Sequence, residues 1–172
     1  MDDLSLPEVR RLAAAANAVR WQRDSTGSAV ESDGRRAERQ LDALFRTSHT
    51  LAVYGTLAPG QPNHHIVAPL GGEWTDGLIE GDLLLVGWGA ALGYPAFRPR
   101  DGGATVAVQV LTSPLLATAW PILDRFEGSE YQRILVPVFS TELSPGQAGE
   151  RRLYTVANLY AAAEASPGAA AL

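Results

Sequence analysis

Two stretches of this sequence carry side chains able to do chemistry, and the first centres on a carboxylate. Glu127 lies in the segment TSPLLATAWPILDRFEGSEYQR (112–133), in which Leu116, Trp120, Leu123 and Phe126 recur at helical spacing and define one apolar side. Glu127 follows Phe126 at the end of that side, so packing of the helix end would bury it. Burial disfavours the charged form and lifts a Glu above its free value of about 4.3, which makes a usable base near neutral pH. Glu130 lies beyond Gly128 and reads as a solvated loop residue. The second stretch is LAVYGTLAPGQPNHH (51–65), where an apolar strand stops on Tyr54-Gly55-Thr56-Leu57 and a loop dense in Pro, Gly and Asn begins. Alone, that stop is a strand-ending turn with Gly at the bend.

Other chemistries are excluded by what the chain lacks. With no Cys there are no disulfides, thiolate zinc sites or cysteine nucleophile. His64 and His65 are adjacent and cannot share a helix face, and without an HExxH spacing they do not read as a metal site. Thr56 with His64 has no GxSxG elbow to make it a nucleophile. GWGAALG (87–93) misses the dinucleotide fingerprint, because Leu92 stands where its third Gly belongs. Net charge is -5, all 14 basic residues are Arg, and no basic run tracks a phosphate backbone, so nucleic acid is not an expected partner.

The elements that must position Glu127 and the 54–57 stop fit one domain: 172 residues, 46% hydrophobic and 19% charged. Residues 1–48 read as a helical extension. Asp2, Asp3, Ser5 and Pro7 precede EVRRLAAAANAVRWQ, a break falls at 25–28, and GRRAERQLDALF places Ala37, Leu41, Leu44 and Phe45 on one face. Such short amphipathic helices need a surface to pack on, and their apolar faces are also candidates for a homodimer contact. Residues 49–160 alternate apolar runs with Gly, Pro and Asp: TLAVYGTL, GLIEGDLLLVGW, TVAVQVLT, RILVPVFS and RRLYTVANL. Only 112–133 has room for a helix, with Ser113 as N-cap, Pro114 at the first helical position, a kink or restart near Trp120 caused by Pro121, and Gly128 as terminator. Residues 161–172 read as a flexible Ala-rich tail. The expected fold class is α+β: a mixed, partly closed β-sheet or barrel crossed by one helix, with a helical N-terminal extension. The start MDDLSLPEV is acidic where a signal peptide is basic, and no apolar run approaches a membrane span, so a cytoplasmic protein without membrane partners is expected.

VYGTLAPGQPNH (53–64) together with LDRFEGSEYQRILVPV (123–138) resembles the gamma-glutamylcyclotransferase-like superfamily, and more closely its gamma-glutamylamine cyclotransferase and AIG2-like branch. GYPAF (93–97) and RRLYTVANLY (151–160) are similar to segments of the same family, and residues 1–48 have no counterpart in it. The resemblance implies a cofactor-independent enzyme. A small gamma-glutamyl amide would cyclise, its own alpha-amine attacking the gamma-carbonyl to release 5-oxoproline and an amine or amino acid. Glu127 would take the place of the family's acid/base, and Tyr54, Gly55, Thr56 and Leu57 that of its substrate-cradling loop. In that role Gly55 would allow a backbone conformation closed to other residues and a close ligand approach, and successive N–H groups would face a carboxylate or oxyanion. Tyr131 and Arg133 match a trailing Y-x-R pattern and read as support for the site, Tyr131 at the substrate-binding side and Arg133 pairing with carbonyls or with Asp124. Tyr154, on the late strand, is either a substrate contact or an interior Tyr with a satisfied hydroxyl. Asn63 and His64 would anchor the loop. Ala58-Pro59 stands where close relatives often carry basic residues, which leaves the substrate's identity open and keeps a non-catalytic ligand-binding or regulatory protein as the alternative, and 77–111 has no clear pattern for the leaving-group side.

Overall fold

Ser5 opens the first helix by turning both its N–H and its hydroxyl toward Glu8 Oε2, at 3.0 and 2.6 Å, while Pro7 occupies the first turn, where no donor is needed. In the computed structural model the described residues are 4–21, 29–85, 93, 95–143 and 151–163, so the expected break at 25–28, the GWGAALG stretch before Gly93 and residues 164–172 of the expected tail lie outside them; residues 161 and 162, expected to begin that tail, instead end the last strand, with Ala161 fully buried. Helix α1 spans Leu6–Trp21 and α2 spans Ala29–Phe45. Gly34, expected near the start of α2, lies inside it where the two helices touch. A Cβ at Gly34 would sit 2.1 Å from Val19 Cγ2 and 2.7 Å from the Ala15 carbonyl oxygen. Gly34→Ala is therefore expected to lower the urea midpoint: overpacking of about 1–3 kcal/mol outweighs the roughly 1 kcal/mol that Ala contributes as the better helix former. Adding Val19→Ala, which removes one of the two obstacles, should recover part of the loss.

Strands β1 (Thr50–Val53), β2 (Glu73–Leu84), β3 (Ala96–Pro99), β4 (Ala104–Thr112), β5 (Tyr131–Leu143) and β6 (Arg151–Ala162) follow, with α3 (Leu116–Glu127) between β4 and β5. The sheet order is β3-β2-β4-β1-β6-β5, and β2 also pairs with β5 at Leu78↔Phe139. The expected partly closed sheet is thus a closed five-stranded barrel, β2-β4-β1-β6-β5, with β3 added beside β2. All pairings are antiparallel except β1 with β6, in register Leu51↔Asn158. Closure brings β5 so near to β2 that a Cβ at Gly77 would lie 2.6 Å from Val138 Cγ1. The sequence reading missed β3, since Pro95 and Gly93 beside it look like loop punctuation.

Three cores result. Ile79, Phe97, Val110, Ile134, Val138 and Leu159 fill the barrel. Leu116, Trp120 and Leu123 of α3 pack on Leu51, Val53, Leu111 and Tyr160 on its outside. Leu12, Ala16 and Leu41 of α1 and α2 cover Leu135 and Val156 of β5 and β6. Much of the apolar surface of the extension is therefore buried within the chain, while Leu44 of the same face stays 44% exposed. Asn17 adds a polar clasp: its Oδ1 accepts the Leu135 N–H at 2.7 Å and its Nδ2 donates to the Leu135 carbonyl at 2.8 Å, standing in for a neighbouring strand.

Helix α3 begins two residues later than Ser113 and Pro114 suggest and is unbroken at Pro121. The fully buried Ser113 hydroxyl is directed to the Leu70 carbonyl, at 2.7 Å, and also accepts the Leu115 N–H, which holds 113–115 in a turn ahead of the helix. Pro121 and Ala117 are exposed, so water can serve the carbonyl that Pro121 leaves without a donor.

Candidate active site

β1 ends at Val53 because the chain then folds back through a string of turns. Ala58 N–H donates to the Gly55 carbonyl at 3.1 Å, Gln61 N–H to Ala58 and Asn63 N–H to Thr56, each at 3.0 Å. His64 Nδ1 donates to the Leu57 carbonyl at 3.1 Å and its ring leans on Trp74, so this histidine is the loop anchor the sequence suggests. Among the described residues, the N–H groups of Gly55, Thr56 and Leu57 donate to no backbone carbonyl. The expected conformational reason for Gly55 is corrected. Its φ lies outside the left-handed range, and a Cβ there would meet nothing within 4 Å. The glycine keeps space open rather than holding a strained backbone.

Glu127 is the last residue of α3, one turn beyond Leu123 on the buried side, and is only 9% exposed. Gly128 terminates the helix at φ 73°, its N–H returning to the Asp124 carbonyl. Desolvation pushes the Glu127 carboxyl up to about 7. Glu130 is exposed, as its place after Gly128 implies.

One cavity brings Glu127 together with Tyr54, Gly55, Thr56, Leu57 and Tyr131, and Pro95 and Tyr160 close it. Of the residues expected to act on or contact the substrate, only Tyr154 stays outside. It is 46% exposed, its hydroxyl 3.1 Å from Thr75 Oγ1. β6 pairs Thr155 with Val138 and then Leu153 with Phe139, so Tyr154 is the extra residue of a bulge, turned away from the cavity. The late-strand tyrosine at the site is Tyr160, which sequence reasoning passed over; an odd-even count back along RRLYTVANLY cannot reveal the bulge.

The tyrosines around Glu127 are held by hydrogen bonds of their own. Tyr54 Oη donates to the Tyr160 carbonyl at 2.9 Å and accepts the Phe97 N–H at 3.0 Å, so this cavity-lining residue also brackets β6 to β3. Tyr160 Oη donates to Asp124 Oδ1 at 2.7 Å, and burial together with that carboxylate raises its pKa far above the usual value. Arg133 grips Asp124 at 2.8 and 3.2 Å and lies over the Trp120 ring, 4.5 Å from its centroid. Burial alone would raise Asp124, but the bonds from Arg133 and Tyr160 outweigh it and hold that carboxyl below its usual range. The same helix turn thus holds two carboxylates of opposite character: Asp124 fixed as an anion, Glu127 ready to take a proton. Among the described residues no cluster of His, Asp or Glu could hold a metal ion, and no helix is long and apolar enough to cross a membrane.

The family model for gamma-glutamyl cyclotransferase, AIG2-like, matches residues 51–169. The chain belongs to this family. An AIG2-like protein from Mus musculus is 25% identical, with a TM-score of 0.51 over 69% of this chain and 80% of its own. An uncharacterized protein from Pyrococcus horikoshii (19% identical, TM-score 0.45, covering 67% of this chain and 79% of its own) is also similar. So is a protein from Arabidopsis thaliana (20%, 0.44, 67% and 62%). No curated protein matches the chain. In this AIG2-like chain the match starts at Leu51, inside β1, so α1 and α2 lie outside the matched residues and pack on the barrel.

Proposed function

We propose that this AIG2-like protein is a gamma-glutamyl cyclotransferase that needs no cofactor, with Glu127 as acid and base. The observation carrying this reading is the buried Glu127 carboxyl, raised to about 7, in one cavity with the Tyr54–Leu57 loop. Glu127 takes a proton from the substrate's alpha-ammonium. The alpha-nitrogen bonds to the gamma-carbon and sheds a second proton as the amide C–N bond breaks, and the leaving nitrogen collects both protons, giving 5-oxoproline and an alkylammonium without consuming water. The amides of Gly55, Thr56 and Leu57 are the donors for a substrate carboxylate or the developing oxyanion, and one such donor is worth about 3 kcal/mol in the transition state. Because the attack is intramolecular, the walls serve mainly to hold the substrate chain folded for ring closure.

The test is 5-oxoproline release from a panel of gamma-glutamyl amines and amino acids. Release should occur, with kcat/KM rising about tenfold per pH unit below pH 7 and levelling above it as free Glu127 ionises. Binding of such compounds without release would make the chain a ligand-binding protein instead. Gly55→Ala adds a methyl to open space in the cavity wall, so it should leave the urea midpoint unchanged while lowering kcat/KM by about tenfold to a hundredfold.

A further inference from the structure

The cavity holding Glu127 encloses about 50 Å³. That is room for a compact head group and not for the rest of a substituted gamma-glutamyl amide. Two larger spaces adjoin it. One, of about 420 Å³, lies across Tyr54 and Gly55. The other, of about 220 Å³, shares Tyr131 and Tyr160 with the cavity as lining residues and is bordered by Gly128, the residue after Glu127. A general acid must come within about 3 Å of the nitrogen it protonates, so the leaving group starts beside Glu127 and continues on the Gly128 side.

Resting on the cyclotransferase reading, we propose that the 220 Å³ cleft is the leaving-group subsite, completed by α1 and α2, and that it selects an amine carrying a second ammonium group. Its charged lining is two ion pairs: Asp124 with Arg133, and Glu38 of α2 with Arg20 of α1. In each pair the carboxylate is the more exposed partner, 40% against 23% for Asp124 and Arg133, and 37% against 15% for Glu38 and Arg20. The guanidiniums face inward, both donating to Asn158 Oδ1, at 2.8 Å from Arg20 and 3.1 Å from Arg133. Both bonds from Arg20 to Glu38 end on Oε1, so Oε2 keeps acceptor capacity. The more exposed charges the cleft offers a ligand are therefore acceptors, and an ammonium reaches Glu38 before either guanidinium.

The experiment compares kcat/KM for 5-oxoproline release from gamma-glutamylputrescine and from gamma-glutamyl-n-pentylamine, which have equal length and differ in the terminal charge. The wild type should favour the diamine about three- to tenfold, as a half-exposed charge-assisted contact allows. Glu38→Gln should bring the ratio close to one. Should that variant lose stability, the wild-type ratio read at rising ionic strength answers the same question, since the preference should shrink with screening. Release from both conjugates with a wild-type ratio near one, or a ratio that neither Glu38→Gln nor salt reduces, would overturn this proposal alone. No release from these or any other gamma-glutamyl conjugate would overturn it together with the cyclotransferase reading.

Discussion

Glu127→Gln is expected to lower turnover by about a hundredfold to ten-thousandfold, the range for losing a general acid/base, while making the protein more stable above neutral pH. The two effects share one cause. With the folded carboxyl at about 7, proton transfer from an alpha-ammonium of pKa about 8 is uphill by about 1 kcal/mol, against about 5 kcal/mol for an ordinary Glu at 4.5. The raised pKa also means that the folded state binds this proton more tightly than the unfolded chain does. Stability therefore falls as pH rises from 4.5 through about 7, and above that window the ionised carboxylate costs the fold about 3 kcal/mol. Gln has the same shape and no charge, so its advantage should approach that figure at pH 8 and vanish near pH 4.5. Urea midpoints of both proteins at the two pH values, beside 5-oxoproline assays, test this. A variant with wild-type turnover would end the role given to Glu127, and one with no stability gain at pH 8 would show that the carboxylate is not desolvated.

What could be read from the residues was local, and what could not was decided by closure of the barrel. The 3-4 spacing of Leu116, Trp120 and Leu123 was enough to place Glu127 on the buried end of α3, and Gly128 marked where that helix stops. The glycine-bearing stop at 54–57 was legible as a place where the ladder ends, though the use of Gly55 was not: whether a glycine supplies a left-handed turn or empty space depends on what surrounds it. Tyr160 was missed for a similar reason. The bulge at Tyr154 arises because β5 and β6 are long strands bent around a closed barrel, and no pattern within β6 records the partner's register. The start of α3 moved because Ser113, a good cap by type, lies against the Leu70 carbonyl, 43 residues away in sequence.

Deleting residues 1–48 is expected to unfold the protein or drive it to aggregate, although the family match begins only at Leu51. The cut would return the buried side chains of Leu135 and Val156 to water, at about 1.5–3 kcal/mol each. It would also remove the acceptors of two interior donors: Asn158 Nδ2 bonds the Thr47 carbonyl at 2.6 Å and Trp120 Nε1 the Ser48 carbonyl at 3.0 Å. Asn158 is 1% exposed, so its amide group would lose a bond that water cannot readily replace, at about 1–3 kcal/mol. The sum, roughly 4–9 kcal/mol, is comparable with the whole stability of an ordinary domain, about 5–15 kcal/mol. Without Asn17, moreover, β5 presents an unpaired edge at Leu135, a template for pairing between copies. Asn17→Ala in the 172-residue chain isolates that clasp: with α1 still in place the Leu135 N–H and carbonyl are left without their partner, and about 2–4 kcal/mol should be lost from the urea transition. A 49–172 chain that is monodisperse and melts like the 172-residue chain would mean that the barrel stands alone and that the helices merely rest on it. An aggregating chain, paired with a destabilised but folded Asn17→Ala variant, would mean that this member of the family closes its barrel edge with helices from outside the shared domain.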